Sequence, residues 1–151
     1  MTALYDTLGK GYAAYRKPDP RIAKAIAAAL GDAQTIINIG AGTGSYELPG
    51  RHVAAIEPAA EMIAQRAPGA VTAIQARAEA LPFPDRSFDA ATAFLTTHHW
   101  SDLPQGLREM KRVARKRCVF LDQTFEGLDF WLLSDYFPEM VQHLSGLLPL
   151  D

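Results

Sequence analysis

Cysteine is almost absent from this chain: Cys118 stands alone, so no disulfide can form within it. Cys118 lies in an apolar run and is expected as a buried thiol rather than a nucleophile. An excess of one charge is lacking too. The 15 Lys and Arg are balanced by 17 Asp and Glu, a net charge of −2, and nothing in that balance points to nucleic acid. No apolar run approaches the roughly 20 residues that a membrane span needs. The opening residues, Met1 to Asp6, lack the charged and apolar segments of a signal peptide. A cytoplasmic protein with no membrane span is the expectation. Repeats and low-complexity tracts are missing as well. What remains is 151 residues, 48% of them hydrophobic, which is enough for the core of a single domain over 1–151.

The most informative stretch is Ile36-Ile37-Asn38-Ile39-Gly40-Ala41-Gly42-Thr43-Gly44. An apolar strand runs straight into a Gly-x-Gly-x-Gly turn. Such a turn allows close backbone approach to a ligand, because no side chain stands in the way. A nucleoside-bearing cofactor is the usual reason for a strand to end so. Alone the pattern is weak, since plain loops are also glycine-rich. Its force comes from Glu57, thirteen residues after Gly44 and at the tip of a second apolar run. A carboxylate there can accept two hydrogen bonds from a ribose diol. The plainer alternative is a solvated glutamate at a strand end.

The spacing predicts a helix over 21–30, with Ile22, Ile26 and Leu30 on one face and Gly31 as its cap. Strands are expected over 35–39, 53–56, 71–75, 89–95 and 117–122. Helices are expected over 58–66 and 103–114, the second capped by Ser101 or Asp102. Strand five, nearly all apolar, should be buried on both faces. Alternating strands and helices argue for an α/β, Rossmann-like, doubly wound and mostly parallel sheet of about five strands, in the order 3-2-1-4-5, with helices on both faces. The Gly40–Gly44 turn, Glu57, Arg77–Glu79 and Thr96–His99 then share the carboxyl edge, where ligands bind. Only eleven residues lie between Gly40 and His52, so the first crossover helix must be very short.

These residues, together with Ala78-Glu79-Ala80-Leu81-Pro82-Phe83-Pro84-Asp85-Arg86-Ser87-Phe88-Asp89 and the later His98-His99-Trp100, resemble the class I S-adenosylmethionine-dependent methyltransferases. The branch most similar is the small-molecule one that includes the quinone C-methyltransferases. The likeness covers roughly residues 5 to 125. It implies S-adenosylmethionine as cofactor. The turn formed by Gly40, Ala41, Gly42 and Gly44 would hold its methionine part, and Glu57 its ribose. Pro58 and Met62 would lie near the adenine. Ala78 and Glu79 would sit at the adenine edge, through a backbone amide or the glutamate side chain. Thr96 and His98 would stand beside the sulfonium and the substrate.

The chain departs from the family at several places. Asn38 stands where Asp or Glu is usual, and lacks the charge to pair with the methionine ammonium. Arg77 replaces an Asp. Arg115-Lys116-Arg117 replaces a Pro-Gly-Gly turn and reads as a solvated basic tip. After Asp122 no strand pair is visible. Two helices are expected in a 123–151 tail, so the fold reads as C-terminally truncated. Strand five would then be an open edge, unless the final helices cover it or a second copy does in a homodimer.

Methyl transfer from a sulfonium needs position and electrostatics rather than a protein nucleophile. His98 and His99 are the candidates for a base, if the acceptor must lose a proton; the alternative is a packing role. No ligand set for a metal is apparent. The segment 1–20 carries Tyr5, Tyr12 and Tyr15, and in similar proteins it folds over the cofactor as a lid. Arg16 would then meet the cofactor carboxylate. The alternative is an ordinary surface helix. Phe125, Phe130, Trp131, Tyr136 and Phe137 read as core or as the wall of an apolar substrate pocket. The function expected is methyl transfer to a small-molecule acceptor. The alternative is a non-catalytic or truncated S-adenosylmethionine-binding protein.

Overall fold

The computed structural model describes residues 5–8, 10–15 and 17–122. The elements are α1 (Tyr5–Leu8), α2 (Tyr12–Tyr15), α3 (Pro20–Leu30), β1 (Thr35–Ile39), β2 (His52–Ile56), α4 (Ala60–Ala64), β3 (Ala73–Ile74), β4 (Phe88–Phe94), α5 (Leu103–Val113) and β5 (Ala114–Leu121). A 3-10 turn, Thr97–His99, links β4 to α5. All these elements belong to one compact unit, Met1–Leu121. No helix among the described residues is long and apolar enough to cross a membrane.

The strands form a parallel sheet in the order β3-β2-β1-β4-β5, as the alternation of elements implied. Asn38 is level with Ala55 and Thr92, and Ile39 with Ile56 and Ala93. Three strands therefore end at one height. The chain order reverses between β1 and β4, which opens a crevice beyond their carboxyl ends.

Side-chain alternation along β1 builds a core on each face of the sheet. Ile37 and Ile39 join Ala91, Ala93, Met110 and Val113 beneath α5. Ile36 joins Ile26, Leu30 and Ala90 beneath α3. Met110 is fully buried and Leu30 is 1% exposed; burying such a side chain contributes roughly 1.5–3 kcal/mol. Helix α3 starts where the Asp19 side chain accepts from the Arg21 amide, with Pro20 in the first turn, and ends at Gly31, whose φ is 51°. Asp102, rather than Ser101, caps α5 by accepting from the Gln105 amide at 2.9 Å.

Several expectations are corrected. Strand β5 begins at Ala114, directly from α5, and it is half-buried on one face only. Val119 and Leu121 pack toward the α3 side, whereas Phe120 is 42% exposed and Cys118 is exposed too. The reason is position: among the described residues β5 is an edge strand, and the buried cluster around Met110 and Val113 of α5 is built from β1 and β4. The basic triplet is not a solvated turn. It lies in β5, where Arg115 pairs with Asp89 at 3.2 Å and Arg117 with Asp32 at 3.1 Å. Helix α4 and strand β3 are shorter than expected. The β1–β2 link holds no helix but a series of turns, in which Gly44 donates to the Ala41 carbonyl at 2.9 Å and Glu47 to the Gly44 carbonyl at 3.3 Å. The helices and aromatic residues expected in 123–151 lie outside the described residues.

Candidate active site

Beyond the ends of β1, β2 and β4 lies a cavity of about 420 Å³. Its floor is the glycine turn. Gly40 has φ 68°, a conformation that side chains disfavour, and a Cβ there would stand 2.0 Å from the Thr96 hydroxyl oxygen. Position 40 is thus glycine for two independent reasons. The next amide, of Ala41, donates to the Ile56 carbonyl at 2.8 Å and ties the turn to β2. Gly42 has φ 52°, and a Cβ there would meet the Met62 methyl at 3.3 Å.

Glu57 follows β2 and is 6% exposed. One carboxylate oxygen accepts from the Gly42 amide at 2.8 Å, the other from the Ala59 amide at 2.9 Å. Each oxygen keeps a lone pair for a further donor. Burial pushes the Glu57 carboxyl above its ordinary value; the two amides and the charge of Arg66 oppose this, and Asp6 adds to it. The two amides hold the carboxylate in place at the cavity wall.

On the opposite wall, Leu95 has φ 54° and its amide donates to the Leu121 carbonyl at 2.7 Å. This bend places Thr96, 8% exposed, against Gly40. Both histidines of the following 3-10 turn are exposed, and His99 lines the cavity while His98 does not. The two rings lie 3.9 Å apart. The Tyr5 hydroxyl and His99 Nε2 are 3.2 Å apart, with the rings edge to face. Tyr5 comes from α1, which lies beside α4: the Glu61 amide donates to the Asp6 carboxylate at 3.4 Å.

Of the cofactor residues read from the sequence, Asn38, Gly40, Ala41, Gly42, Glu57, Pro58, Met62, Ala78, Glu79 and Thr96 all line the cavity. Gly44 does not; its φ of 88° shapes the turn from below. Arg16 lies outside the described residues. One oxygen of Glu79 is already engaged by the Ser101 amide at 2.7 Å, the Ser101 hydroxyl at 2.9 Å and the Asp102 amide at 3.1 Å. Burial acts to raise this carboxyl, and its own backbone amide together with the Asp102 and Ser101 bonds outweighs it and holds it below its ordinary value. Its side chain therefore organises the approach to α5.

Sequence reasoning missed Lys17, Tyr46 and Phe94 in the lining, and the buried Glu47–Arg66 ion pair beneath it. No local pattern marks them, because they meet only through the folded β1–β2 link. Among the described residues, no three His, Cys, Asp or Glu come together as metal ligands.

A doubly wound parallel sheet, a glycine turn at its switch point and an acid at the tip of the second strand define the class of α/β nucleoside-binding folds. The sequence pattern of the methyltransferase domain family matches residues 37–121, more than half of the chain. The chain belongs to that family. It is 39% identical over 74 residues to the uncharacterised methyltransferase YcgJ of Bacillus subtilis, a stretch that covers 48% of this chain and 27% of that one. It is 52% identical over 42 residues to a ubiquinone/menaquinone biosynthesis C-methyltransferase of Hahella chejuensis, covering 28% and 17%. Among solved structures, a protein described as a methyltransferase of an antibiotic biosynthesis pathway of Anabaena variabilis superposes with TM-score 0.80 at 36% identity, over 90% of this chain and 58% of that one. The structure of the YcgJ protein gives TM-score 0.66 at 26% identity, over 84% and 58%. The chain thus spans about a quarter or less of these curated relatives and somewhat over half of the structures.

Proposed function

We propose that this chain binds S-adenosylmethionine and transfers its methyl group to a small-molecule acceptor. The observation that carries the reading is Glu57, clamped by the Gly42 and Ala59 amides at the cavity wall with a lone pair left on each oxygen. The residues fit the cofactor. Gly40 and Gly42 carry no side chain and hold positive φ, so the backbone of the turn is open to the methionine part. Glu57 accepts from the ribose hydroxyls. Pro58, Met62 and Ala78 offer an apolar surface to the adenine.

When bound, the cofactor supplies an activated methyl group on a sulfonium. The protein's share is position: Thr96 and the glycine turn fix one reactant, and the walls around Tyr46, Phe94 and Trp100 receive the other. Where the acceptor must lose a proton, His99 takes it, its ring held by Tyr5. His98, whose ring lies 3.9 Å from that of His99, does not line the cavity.

The test is calorimetric titration with S-adenosylhomocysteine, with NAD as the control. Micromolar binding of the former alone is expected. Absence of binding by the folded protein overturns the proposal. Binding without methyl transfer to any of a panel of small acceptors restricts the role to binding. The cytoplasmic location and the pairing of two copies through β5 are proposals of the same standing; analytical ultracentrifugation tests the second.

A further inference from the structure

Beneath the glycine turn runs a connected set of buried side chains that the cofactor contacts above do not use. The side chains of Arg66 and Glu47 are 5% and 10% exposed, and they pair through Nη2 and Oε2. Arg66 also donates from Nη1 to the Gly42 carbonyl at 3.0 Å and from Nε to the Val71 carbonyl at 2.8 Å. The second oxygen of Glu47 accepts from the Asn38 side-chain amide at 3.3 Å. On its other side the Asn38 oxygen accepts from the Thr92 hydroxyl at 3.2 Å. A Cβ at position 44 would stand 3.2 Å from both the Arg66 guanidinium and the Glu47 carboxylate. The ion pair is therefore packed directly against the turn.

Charge decides how this set works. Arg66 is the cation paired with Glu47, and its charge also reaches Glu57. The carboxylate of Glu47 also decides the orientation of Asn38. Turned the other way, the amide oxygen would face a carboxylate oxygen at hydrogen-bond distance, and like charges repel. An acid at position 38, expected from the resemblance, would put a second carboxylate against Glu47, whose partner Arg66 is already engaged by Glu47 and by the Gly42 and Val71 carbonyls.

We propose that Glu47 is the positioning residue for the amino-acid end of the cofactor: it carries the one carboxylate that the site accommodates beside β1, and it orients Asn38 as its neutral partner toward the ligand. Asn38 and Glu47 then share one carboxylate, carried on the loop rather than on the strand. This inference rests on the proposed binding of S-adenosylmethionine. It also explains why the β1–β2 link is a series of turns. That path brings Glu47 back beneath Asn38, nine residues earlier in the chain.

The experiment compares the wild type with Asn38→Asp, Glu47→Gln and the double variant, each titrated with S-adenosylhomocysteine and with 5′-methylthioadenosine, which lacks the amino-acid end. Each single change is expected to weaken S-adenosylhomocysteine about ten-fold, the effect of one charge-assisted hydrogen bond, and to spare 5′-methylthioadenosine. The double variant restores one carboxylate to the pair and is expected to regain most of the affinity. If Asn38→Asp alone does not fold, recovery of folding in the double variant is the same expected result. Glu47→Gln, nearly isosteric, still reads the difference between the two ligands. Additive losses in the double variant overturn the sharing of one carboxylate. Equal losses for both ligands reduce the pair to a prop for the turn and overturn the positioning role. If the folded wild type binds neither ligand, the cofactor proposal itself fails. If it binds both and the variants change nothing, only this inference fails.

Discussion

Glu57 carries an electrostatic conflict that a ligand would resolve. Its burial favours the neutral acid, and the ribose hydroxyls of a bound cofactor favour the carboxylate. Binding should therefore release protons at acid pH. Affinity for S-adenosylhomocysteine should rise with pH from the ordinary carboxyl value, 4.5, upward and then level off. Calorimetry in buffers of different ionisation enthalpy measures that release directly. The free protein should respond in the opposite sense. A raised native pKa means that the folded state keeps its proton longer than the unfolded chain does, so this residue's contribution to stability falls as pH rises through the same window. Glu57→Ala should weaken binding by roughly 1–3 kcal/mol; unchanged affinity would remove the ribose role. Gly40→Ala is the stricter test of the turn. Its φ of 68° and a Cβ 2.0 Å from Thr96 make the substitution strained twice over, at about 1–3 kcal/mol for the backbone alone. Loss of binding is expected together with a lower melting temperature.

Helix α5 and the 3-10 turn before it decide which side chains reach the cavity. Gly106 lies inside α5, where alanine would ordinarily stabilise by about 1 kcal/mol. Here a Cβ would stand 2.4 Å from the Trp100 ring. Gly106→Ala should therefore lower the melting temperature and shift tryptophan emission, because Trp100 must leave the cavity wall. A higher melting temperature with unchanged emission would show that the ring moves at no cost. The 3-10 turn chooses between two adjacent histidines. His99→Ala should slow turnover about 10²-fold for an acceptor that loses a proton, and His98→Ala should leave the rate alone. Tyr5→Phe keeps the ring contact but deletes the hydroxyl, so kcat should fall while affinity for S-adenosylhomocysteine holds. Equal effects of the two histidine variants would break the assignment.

At the scale of the whole molecule, Asp89, at the start of β4, is expected to make stability sensitive to acid. Its carboxylate accepts from the amides of Gln34 and Thr35 at 3.0 and 3.1 Å and pairs with Arg115, which joins β1, β4 and β5 at the end opposite the cavity. The Thr35 and Gln34 amides, with Arg115, hold it well below the usual carboxylate range. Glu109 is lowered as well, chiefly by Arg112. With depressed native values, this stabilisation is present above the unfolded values near 4 and is lost as pH falls below them. Melting temperature should drop steeply below about pH 4, and Asp89→Asn should flatten that drop; a slope unchanged in the variant would place the acid sensitivity elsewhere.

Local patterns in the chain determined the strand order, the bounds of β1 at Thr35–Ile39, the glycine turn and the place of Glu57 at the tip of β2. Each depends on short apolar runs or on backbone conformations that few residues adopt, and both act within a few residues. Other features came only with the folded chain. An apolar strand reads the same whether a neighbour covers it or not, so the exposure of Phe120 and Cys118 followed from the edge position of β5. That His99 lines the cavity and His98 does not followed from a single short turn. The Asn38–Glu47–Arg66 network joins side chains up to twenty-eight residues apart, and no spacing announces it. Charges on separate loops find one another only after the sheet has set the distance between them, which is why tertiary structure alone decided where the carboxylate beneath the turn would lie.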